Sequence, residues 1–258
     1  MISMVADPHA LDSAIHHYRV GRLADAERVC RGILQTEPRH AEALHLLGLV
    51  AQRVGRHAVA VDLLRAAIAV QPAVGDYHHN LGAALSEMGR LDEAMAAFRR
   101  ALEIQPGLAI SYNNIGNLLK AQGRSEEAIA SYRRALACEP GLAMARNNLG
   151  VALMEAGRTE EALVECQRAV DAAPGLAEAH NSMGGALQRL GRPEEAIAAF
   201  ERALALKPHY VDALENLGHA LLSLGRHDEA LAAHRRAQEI APQPAAISAR
   251  IDLPRRGV

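Results

Sequence analysis

The chain has 258 residues, of which 50% are hydrophobic and 22% are charged, a composition typical of a globular protein and not of a disordered one. A formal net charge of −2 argues against a nucleic-acid-binding protein, because such a protein needs a basic surface to displace counterions. No segment approaches the ~18 apolar residues of a membrane-spanning helix, and the first residues lack the basic and apolar regions of a signal peptide. We therefore expect a cytoplasmic protein that binds neither nucleic acid nor membrane.

Four series of residues recur along the chain with a period of 34. The prolines are Pro38, Pro72, Pro106, Pro140, Pro174, Pro208 and Pro242, and the Gly-Arg pairs begin at Gly21, Gly55, Gly89, Gly123, Gly157, Gly191 and Gly225. A second glycine series comprises Gly48, Gly82, Gly116, Gly150, Gly184 and Gly218, and an alanine series comprises Ala26, Ala60, Ala94, Ala128, Ala162, Ala196 and Ala230. Such a period predicts stacked repeats, in which each unit buries its apolar faces only against its neighbours.

Each period predicts two helices, which we call helix A and helix B. In the repeat 109–142, helix A runs from about Ala109 to Gln122, Gly123 and Arg124 form the turn, and helix B runs from about Ser125 to Cys138. The predicted fold class is all-α, an α-α superhelix of about seven helix-turn-helix repeats within residues 1–242. The repeats are predicted at residues 7–40, 41–74, 75–108, 109–142, 143–176, 177–210 and 211–242, and residues 243–258 as a flexible C-terminal tail.

Local signals at the ends of helix B agree with this assignment. Ser125 is expected to cap the helix, and acidic residues follow it in the first turn, where the helix dipole favours anions. Thr159 and Pro193 hold the equivalent place in the next two repeats. Pro140 ends helix B, because a proline drives the residue before it out of the α region.

Small residues predict that helices A and B approach closely. Gly116 lies in the middle of helix A, where glycine costs ~1 kcal/mol relative to alanine, so a packing reason is expected. Ala128 lies at the corresponding crossing point of helix B, and Ile115, Leu119 and Tyr132 are predicted to fill the surrounding space.

The 34-residue pattern resembles the tetratricopeptide repeat, with Leu-Gly in helix A, an early alanine and an aromatic in helix B, and a closing proline. The segment SYNNIGNLLKAQGRSEEAIASYRRALACEP matches nearly throughout, and the resemblance covers about Asp7 to Pro242. The first repeat departs most, with Ala14 in place of the helix-A glycine and Ile33 in place of the late alanine. The repeated Asn-Leu-Gly is most similar to the repeat arm of O-linked N-acetylglucosamine transferases and their bacterial relatives. The resemblance implies a right-handed superhelix whose inner surface, lined by A helices, binds peptides or proteins.

Asparagines recur on the side of helix A that should face away from helix B. Counted from the first residue of each helix A, the sixth position holds Asn80, Asn114, Asn148 and Asn216, the fifth adds Asn113, Asn147 and Asn181, and the ninth adds Asn117. An asparagine amide carries both a donor and an acceptor, so such a row can bind the backbone of an extended peptide. In the transferase relatives, asparagines at the sixth position have that role, and the resemblance extends it to Asn80, Asn114, Asn148 and Asn216. Alternatively, these amides bond a neighbouring helix or are consensus residues of the repeat.

The charges beside the asparagines favour a neutral or basic ligand. The second position of helix A holds Glu42, Asp76, Glu178 and Asp212, and from the second repeat onward no Lys or Arg occupies the fifth, sixth or ninth position. A clamp for a C-terminal carboxylate is therefore disfavoured.

Catalytic, metal-binding and cofactor-binding patterns are not found in the sequence. Cys30 and Cys166 occupy the aromatic position of helix B and are expected to be small buried residues, whereas Cys138 lies near a helix end. The 13 histidines are interpreted as scattered surface residues, because no carboxylate or cysteine accompanies them at ligand spacing. We therefore expect no enzyme activity, no metal and no cofactor.

The leading functional prediction is a non-catalytic scaffold that binds a partner protein or peptide in its concave groove. The alternative is the substrate-recognition arm of a glycosyltransferase-like protein whose catalytic domain is absent from this chain. His234 replaces the aromatic of the last helix B, which favours an array that is complete without a further domain.

Overall fold

The structure, a computed structural model, describes residues 9–241, and this part of the chain contains fourteen α-helices and no strand. The helices are α1 (Ala10–Arg19), α2 (Leu23–Thr36), α3 (Ala41–Arg53), α4 (His57–Val70), α5 (Gly75–Glu87), α6 (Leu91–Ile104), α7 (Ala109–Ala121), α8 (Ser125–Cys138), α9 (Ala143–Glu155), α10 (Thr159–Ala172), α11 (Ala177–Arg189), α12 (Pro193–Leu206), α13 (Val211–Ser223) and α14 (His227–Ile240). Odd-numbered helices are the predicted A helices and even-numbered helices the predicted B helices. The all-α prediction of paired helices in a repeat (solenoid) fold is confirmed, and the predicted tail at 243–258 lies outside the described residues.

The chain divides into two compact units, residues 1–140 with α1 to α8 and residues 141–258 with α9 to α14. Within each unit, every A helix packs against its own B helix, and the B helix packs against the next A helix. Consecutive A helices within a unit also contact each other, as α3 does with α5 and α9 with α11, whereas consecutive B helices within the described part of a unit do not. In each unit the A helices therefore lie on the narrower side, and grooves open between the B helices on the other side.

The turn between helices A and B is built on glycine, as predicted. Gly123 has φ +74°, a left-handed conformation that residues with a side chain rarely adopt. The backbone N–H of Arg124 donates to the carbonyl of Leu119 at 2.9 Å, and that of Gly123 donates to Lys120 at 2.9 Å. These two bonds form a Schellman motif, which satisfies carbonyls at the end of α7 and directs the chain into α8.

The prediction that Ser125 caps helix B is wrong. The cap residue of α8 is Arg124, and Ser125 is the first residue inside the helix, as Thr159 is in α10. Nε and Nη2 of Arg124 instead each lie 2.7 Å from a carboxylate oxygen of Glu127. The same pairing of the turn arginine with an acid three residues later occurs at Arg22–Asp25, Arg90–Glu93, Arg158–Glu161, Arg192–Glu195 and Arg226–Glu229. Pro193 begins α12, as expected.

The mid-helix glycines let helices A and B approach closely, which confirms the packing prediction. A Cβ added to Gly116 would lie 2.5 Å from Cε1 of Tyr132, whose side chain is fully buried. At Gly150 the nearest atom would be Sγ of Cys166, also at 2.5 Å. The residue opposite the glycine is thus the aromatic of helix B or its replacement, and not Ala128.

The cysteines are placed as predicted. Cys30 and Cys166 are fully buried, and burial raises the pKa of their thiols to about 11 and about 12, respectively. Cys138 is exposed at the last residue of α8. All three thiols are free, so the fold of the described residues rests on packing and not on a disulfide.

Candidate peptide-binding surface

The predicted asparagines lie on the A helices with very different exposure. Asn113 is buried, with 2% of its surface exposed, and Asn117 is exposed. The remaining six are half-buried: Asn80, Asn114, Asn147, Asn148, Asn181 and Asn216. We call the side of the A helices that carries these residues the A face of each unit.

Asn80 connects two consecutive A helices of the first unit. Its Nδ2 lies 2.7 Å from Nε2 of His45, the fifth residue of α3. The His45 ring packs against Tyr77, with 4.5 Å between the ring centroids. Burial lowers the pKa of His45 to about 4, although the carboxylate of Asp76 acts in the opposite direction. His45 is therefore neutral at pH 7, and its Nε2 accepts the hydrogen bond from Asn80.

Asn216 makes the equivalent connection in the second unit. Its Nδ2 donates to Oδ1 of Asn181 at 3.1 Å, so again the sixth residue of one A helix bonds the fifth residue of the preceding one. Nδ2 of Asn181 lies 3.5 Å from the Tyr210 hydroxyl, at the limit of hydrogen bonding. Asn80 and Asn216 thus bridge neighbouring helices, as the structural alternative proposed from the sequence expects.

The three asparagines of α7 differ in what they bond. The Tyr132 hydroxyl donates to Oδ1 of Asn117 at 2.8 Å, which connects α7 to α8. Nδ2 of Asn113 lies 3.4 Å from Oδ1 of Asn114, a weak bond within one helix. Nδ2 of Asn114 has no partner among residues 9–241. Of the three, Asn114 offers the donor that a ligand can use.

In α9, Asn147 and Asn148 are both half-buried. Oδ1 of Asn147 is buried and accepts no hydrogen bond from the described residues. Leaving such a carbonyl unsatisfied costs ~1–3 kcal/mol, so this acceptor would gain from a donor brought by water or a ligand.

Two histidines of the A face were missed at the level of the sequence. Nδ1 of His79 lies 2.8 Å from Oγ of Ser111, which connects α5 to α7, and burial lowers the pKa of His79. His45 and His79 are half-buried and His78 and His180 are buried, so the interpretation of all histidines as scattered surface residues is wrong for these four. The available signal was their position: His45 precedes Asn80 by the same 35 residues by which Asn181 precedes Asn216.

Acidic side chains border the A face. Glu42, Asp76 and Asp212, each the second residue of its helix, are exposed. Glu178 at the same position is half-buried, and its carboxylate lies 3.3 Å from Nζ of Lys207. The charge on this face is therefore mainly negative where a ligand would first meet it.

Within residues 9–241, no three His, Cys, Asp or Glu side chains lie close enough together to hold a metal ion. None of the fourteen helices combines the length and the apolar character that a membrane span requires.

Models of the tetratricopeptide repeat match residues 40–106, 77–138, 113–177 and 182–245. The chain belongs to the tetratricopeptide repeat (TPR) family. Proteins of this family generally bind other proteins or peptides. The matched models describe the TPR in general, so the closer resemblance to the repeat arm of O-linked N-acetylglucosamine transferases stays a prediction.

Solved TPR structures share the fold. YrrB, described as a TPR protein with an unusual peptide-binding site, is 26% identical over 70% of this chain and 93% of its own, with a TM-score of 0.56. MamA is 25% identical over 62% of this chain and 94% of its own, with a TM-score of 0.55. For pilF from Pseudomonas aeruginosa, at 19% identity over 79% of this chain and 93% of its own, the TM-score of 0.70 shows the fold alone. A search of curated protein sequences finds no significant match.

Proposed function

We propose that this TPR protein is a non-catalytic interaction module that binds an extended segment of a partner protein along the A face. The carrying observation is that the amides of Asn80, Asn114 and Asn216, all at the sixth position, are only half used by the described residues. Asn80 and Asn216 each donate one bond to a neighbouring helix, and Oδ1 of each has no partner among the described residues. Asn114 conversely keeps its Nδ2 available. An extended chain presents N–H and C=O groups that match both.

The bonds between helices support this role and do not compete with it. An amide held by a neighbouring helix has lost its rotational freedom before the ligand arrives. Binding then avoids the ~0.5–1.5 kcal/mol that ordering a mobile side chain costs. The structural and the ligand-binding interpretations of Asn80 thus concern different atoms of one amide.

The spacing of the amides suits an extended ligand. Packed helices lie ~8–10 Å apart, and an extended chain advances ~3.3–3.6 Å per residue. Asn80 and Asn114, on consecutive A helices of the first unit, would therefore meet ligand residues roughly three apart.

The charge of the A face selects among such ligands. Exposed Glu42 and Asp76 would repel an acidic segment and attract a basic one, so the expected ligand is neutral to basic. YrrB, a related TPR protein, is described as having an unusual peptide-binding site, which supports the assignment of peptide binding to this chain.

The alternative function, substrate recognition for a glycosyltransferase-like catalytic domain outside this chain, would use the same A face. The recurrence of asparagine at the sixth position, at Asn80, Asn114, Asn148 and Asn216, favours it as the second candidate. The two functions differ in what happens to the bound segment. Only the alternative requires the segment to carry a hydroxyl that accepts a sugar.

The test starts from peptides selected on the protein from a phage-displayed library of random twelve-residue sequences. The tightest peptide is synthesised, and its Kd is measured by fluorescence anisotropy with the parent protein and with Asn114→Ala. Loss of one hydrogen bond of ~0.5–1.5 kcal/mol should raise Kd about 2- to 10-fold. The melting temperature should change little, because Nδ2 of Asn114 has no partner among residues 9–241 and its Oδ1 accepts only a weak bond from Asn113, at 3.4 Å.

The matched control is Ala130→Glu, on the opposite side of the same helix pair, which should leave Kd unchanged. A peptide whose affinity responds to Ala130→Glu and not to Asn114→Ala would place the ligand elsewhere and contradict the proposal.

A further inference from the structure

The second unit has a groove on its other side, between the B helices α10 and α12, with α11 as its floor. We call it the α10–α12 groove. It encloses about 700 Å³, and its apolar lining includes Leu163, Val164, Met183, Leu187 and Ala198. Val164 is 49% exposed, and Ala198 is exposed on the opposite wall. An open apolar groove of this kind is more typical of a docking surface than of a structural gap.

The rim of the groove is positively charged. Its lining includes the side chains of Arg168, Arg192 and Arg202 but only one carboxylate, that of Glu195. Arg192 is paired with Glu195 at 2.6 Å, and Arg168 with Glu165 at 2.6 Å. Arg202 is exposed and has no partner among the described residues, so its charge is available to a ligand.

The corresponding groove of the first unit provides a comparison. It lies between α6 and α8 over α7 and encloses about 500 Å³. Its charged lining is balanced, with Arg99 and Arg134 against Glu103 and Glu127, and Ser131 makes one wall more polar. The first groove therefore differs from the α10–α12 groove in the additional carboxylate of Glu103 and in the polar wall at Ser131.

We propose that the α10–α12 groove docks an acidic amphipathic helix of a partner protein. Apolar residues of that helix would cover Val164 and Ala198, and its Asp or Glu residues would pair with Arg202 and with the rim of α10. This surface is separate from the A face and has the opposite charge preference. Complementary charge is the reason for choosing an acidic partner over a neutral one.

A helix fits this groove better than an extended segment. The backbone groups of both walls are already bonded within α10 and α12, so an extended ligand would leave its own N–H and C=O groups unpaired against apolar side chains. A helix satisfies those groups internally. From Arg192 to Arg202 the wall is about 15 Å long at ~1.5 Å per residue, which accommodates roughly three turns of a bound helix.

The probe is a fluorescein-labelled peptide of eighteen residues with leucines along one helical face and glutamates elsewhere. A lysine version and a scrambled version of the glutamate peptide serve as ligand controls. Binding to the full chain is followed by anisotropy. We expect the glutamate peptide to bind at micromolar concentration and the other two at least 10-fold more weakly. Ala198→Glu and Arg202→Glu should each weaken the glutamate peptide at least 10-fold.

The matched protein controls are Ala130→Glu and Arg134→Glu, which occupy the same positions two repeats earlier and should change Kd less than 2-fold. Circular dichroism confirms that each variant is folded. Asn114→Ala should also bind the glutamate peptide normally, which separates this test from that of the A face.

Four results would overturn the proposal. These are no binding of the glutamate peptide up to 1 mM, equal binding of the lysine or scrambled peptide, an unchanged Kd with folded Ala198→Glu, and loss of binding with Asn114→Ala. Sodium dodecanoate provides the last check: if it binds the groove while the glutamate peptide does not, the site accepts small lipophilic anions and not a helix.

Discussion

Two adjacent glycines in α11 have different surroundings. A Cβ on Gly184 would lie 2.5 Å from the ring of Phe200, which is fully buried, whereas a Cβ on Gly185 would meet only Sδ of Met154, at 3.9 Å. Alanine is favoured over glycine in a helix by about 0.8–1 kcal/mol, and overpacking of a core costs about 1–3 kcal/mol. The balance of these two effects decides whether alanine raises or lowers the free energy of unfolding at each position.

We therefore expect Gly185→Ala to raise the free energy of unfolding by about 0.5–1 kcal/mol, since only the helix preference changes. Gly184→Ala should lower it by about 0.5–2 kcal/mol, because the fully buried Phe200 ring would have to shift to admit the methyl group. Urea denaturation of both variants measures the difference. Stabilisation by both substitutions would show that α11 and α12 separate readily, contrary to the close approach described above.

His45 makes the stability of the first unit depend on pH. Its folded-state pKa of about 4 lies below the ~6.5 of an unfolded chain, so the unfolded state binds the proton first as pH falls. Neutral His45 therefore stabilises the folded state fully above about pH 6.5, and this stabilisation is lost progressively as the pH falls from about 6.5 to about 4. Carboxylates such as Glu27, whose pKa is lowered by Arg56, change the stability at lower pH.

The variant His45→Asn copies the Asn181–Asn216 pair into the position opposite Asn80. It should keep the bond between helices while removing the titrating ring. Between pH 7 and pH 5 the parent should lose on the order of 1 kcal/mol more stability than the variant. Chemical denaturation at both pH values measures this difference, with Asn181→Ala as a control that leaves the pH dependence intact. Identical pH dependence in parent and His45→Asn would contradict the burial of a neutral imidazole.

At the scale of helices, the turn arginines show how one substitution redirects an ion pair. In the second repeat Val59 stands where the other repeats have an acid, so Arg56 turns instead to Glu27, at 2.6 Å. Glu27 also accepts from Arg31 of its own helix at 2.7 Å. The carboxylate thus links α2 to α4, whereas among residues 9–241 that of Glu127 bonds only the turn arginine Arg124.

Glu27→Gln should consequently lower the melting temperature more than Glu127→Gln, because only the first substitution breaks a contact between helix pairs. Exposed pairs are screened by salt, so the difference should shrink in 1 M NaCl. Thermal melts of both variants at low and high salt provide the measurement. Equal losses at low salt would show that the link between α2 and α4 contributes nothing measurable.

The sequence predicts these helices well because their ends depend on local chemistry. The structure places α8 at Ser125–Cys138, as predicted, and ends α7 at Ala121, one residue before the predicted Gln122. Glycine at positive φ and proline after the helix act within a few residues. The cap at Ser125 failed because the Schellman turn already places Arg124 at the capping position. The partner of Asn80 could not be predicted, since it depends on the stagger of α3 against α5.

At the scale of the molecule, the repeat gives each unit two surfaces with different chemistry. The A face presents side-chain amides beside acidic residues, and the grooves between B helices present apolar floors with arginine and glutamate rims. Amides suit an extended backbone and apolar floors suit a helix. In the second unit the two surfaces thus predict ligands that differ in both conformation and charge.

The most direct test of the A face asks whether it recognises the ligand's backbone. In the selected peptide, each peptide bond in turn is replaced by an ester, which removes one N–H with little change in shape. We expect one sensitive position, where the ligand N–H that donates to Oδ1 of Asn80 is lost and Kd rises about 2- to 10-fold. Asn80→Ala should abolish this sensitivity, whereas Asn114→Ala should leave it, because Nδ2 of Asn114 would bond a ligand carbonyl and not an N–H. Uniformly small effects of the esters, or a pattern that Asn80→Ala does not alter, would contradict backbone recognition by the asparagines.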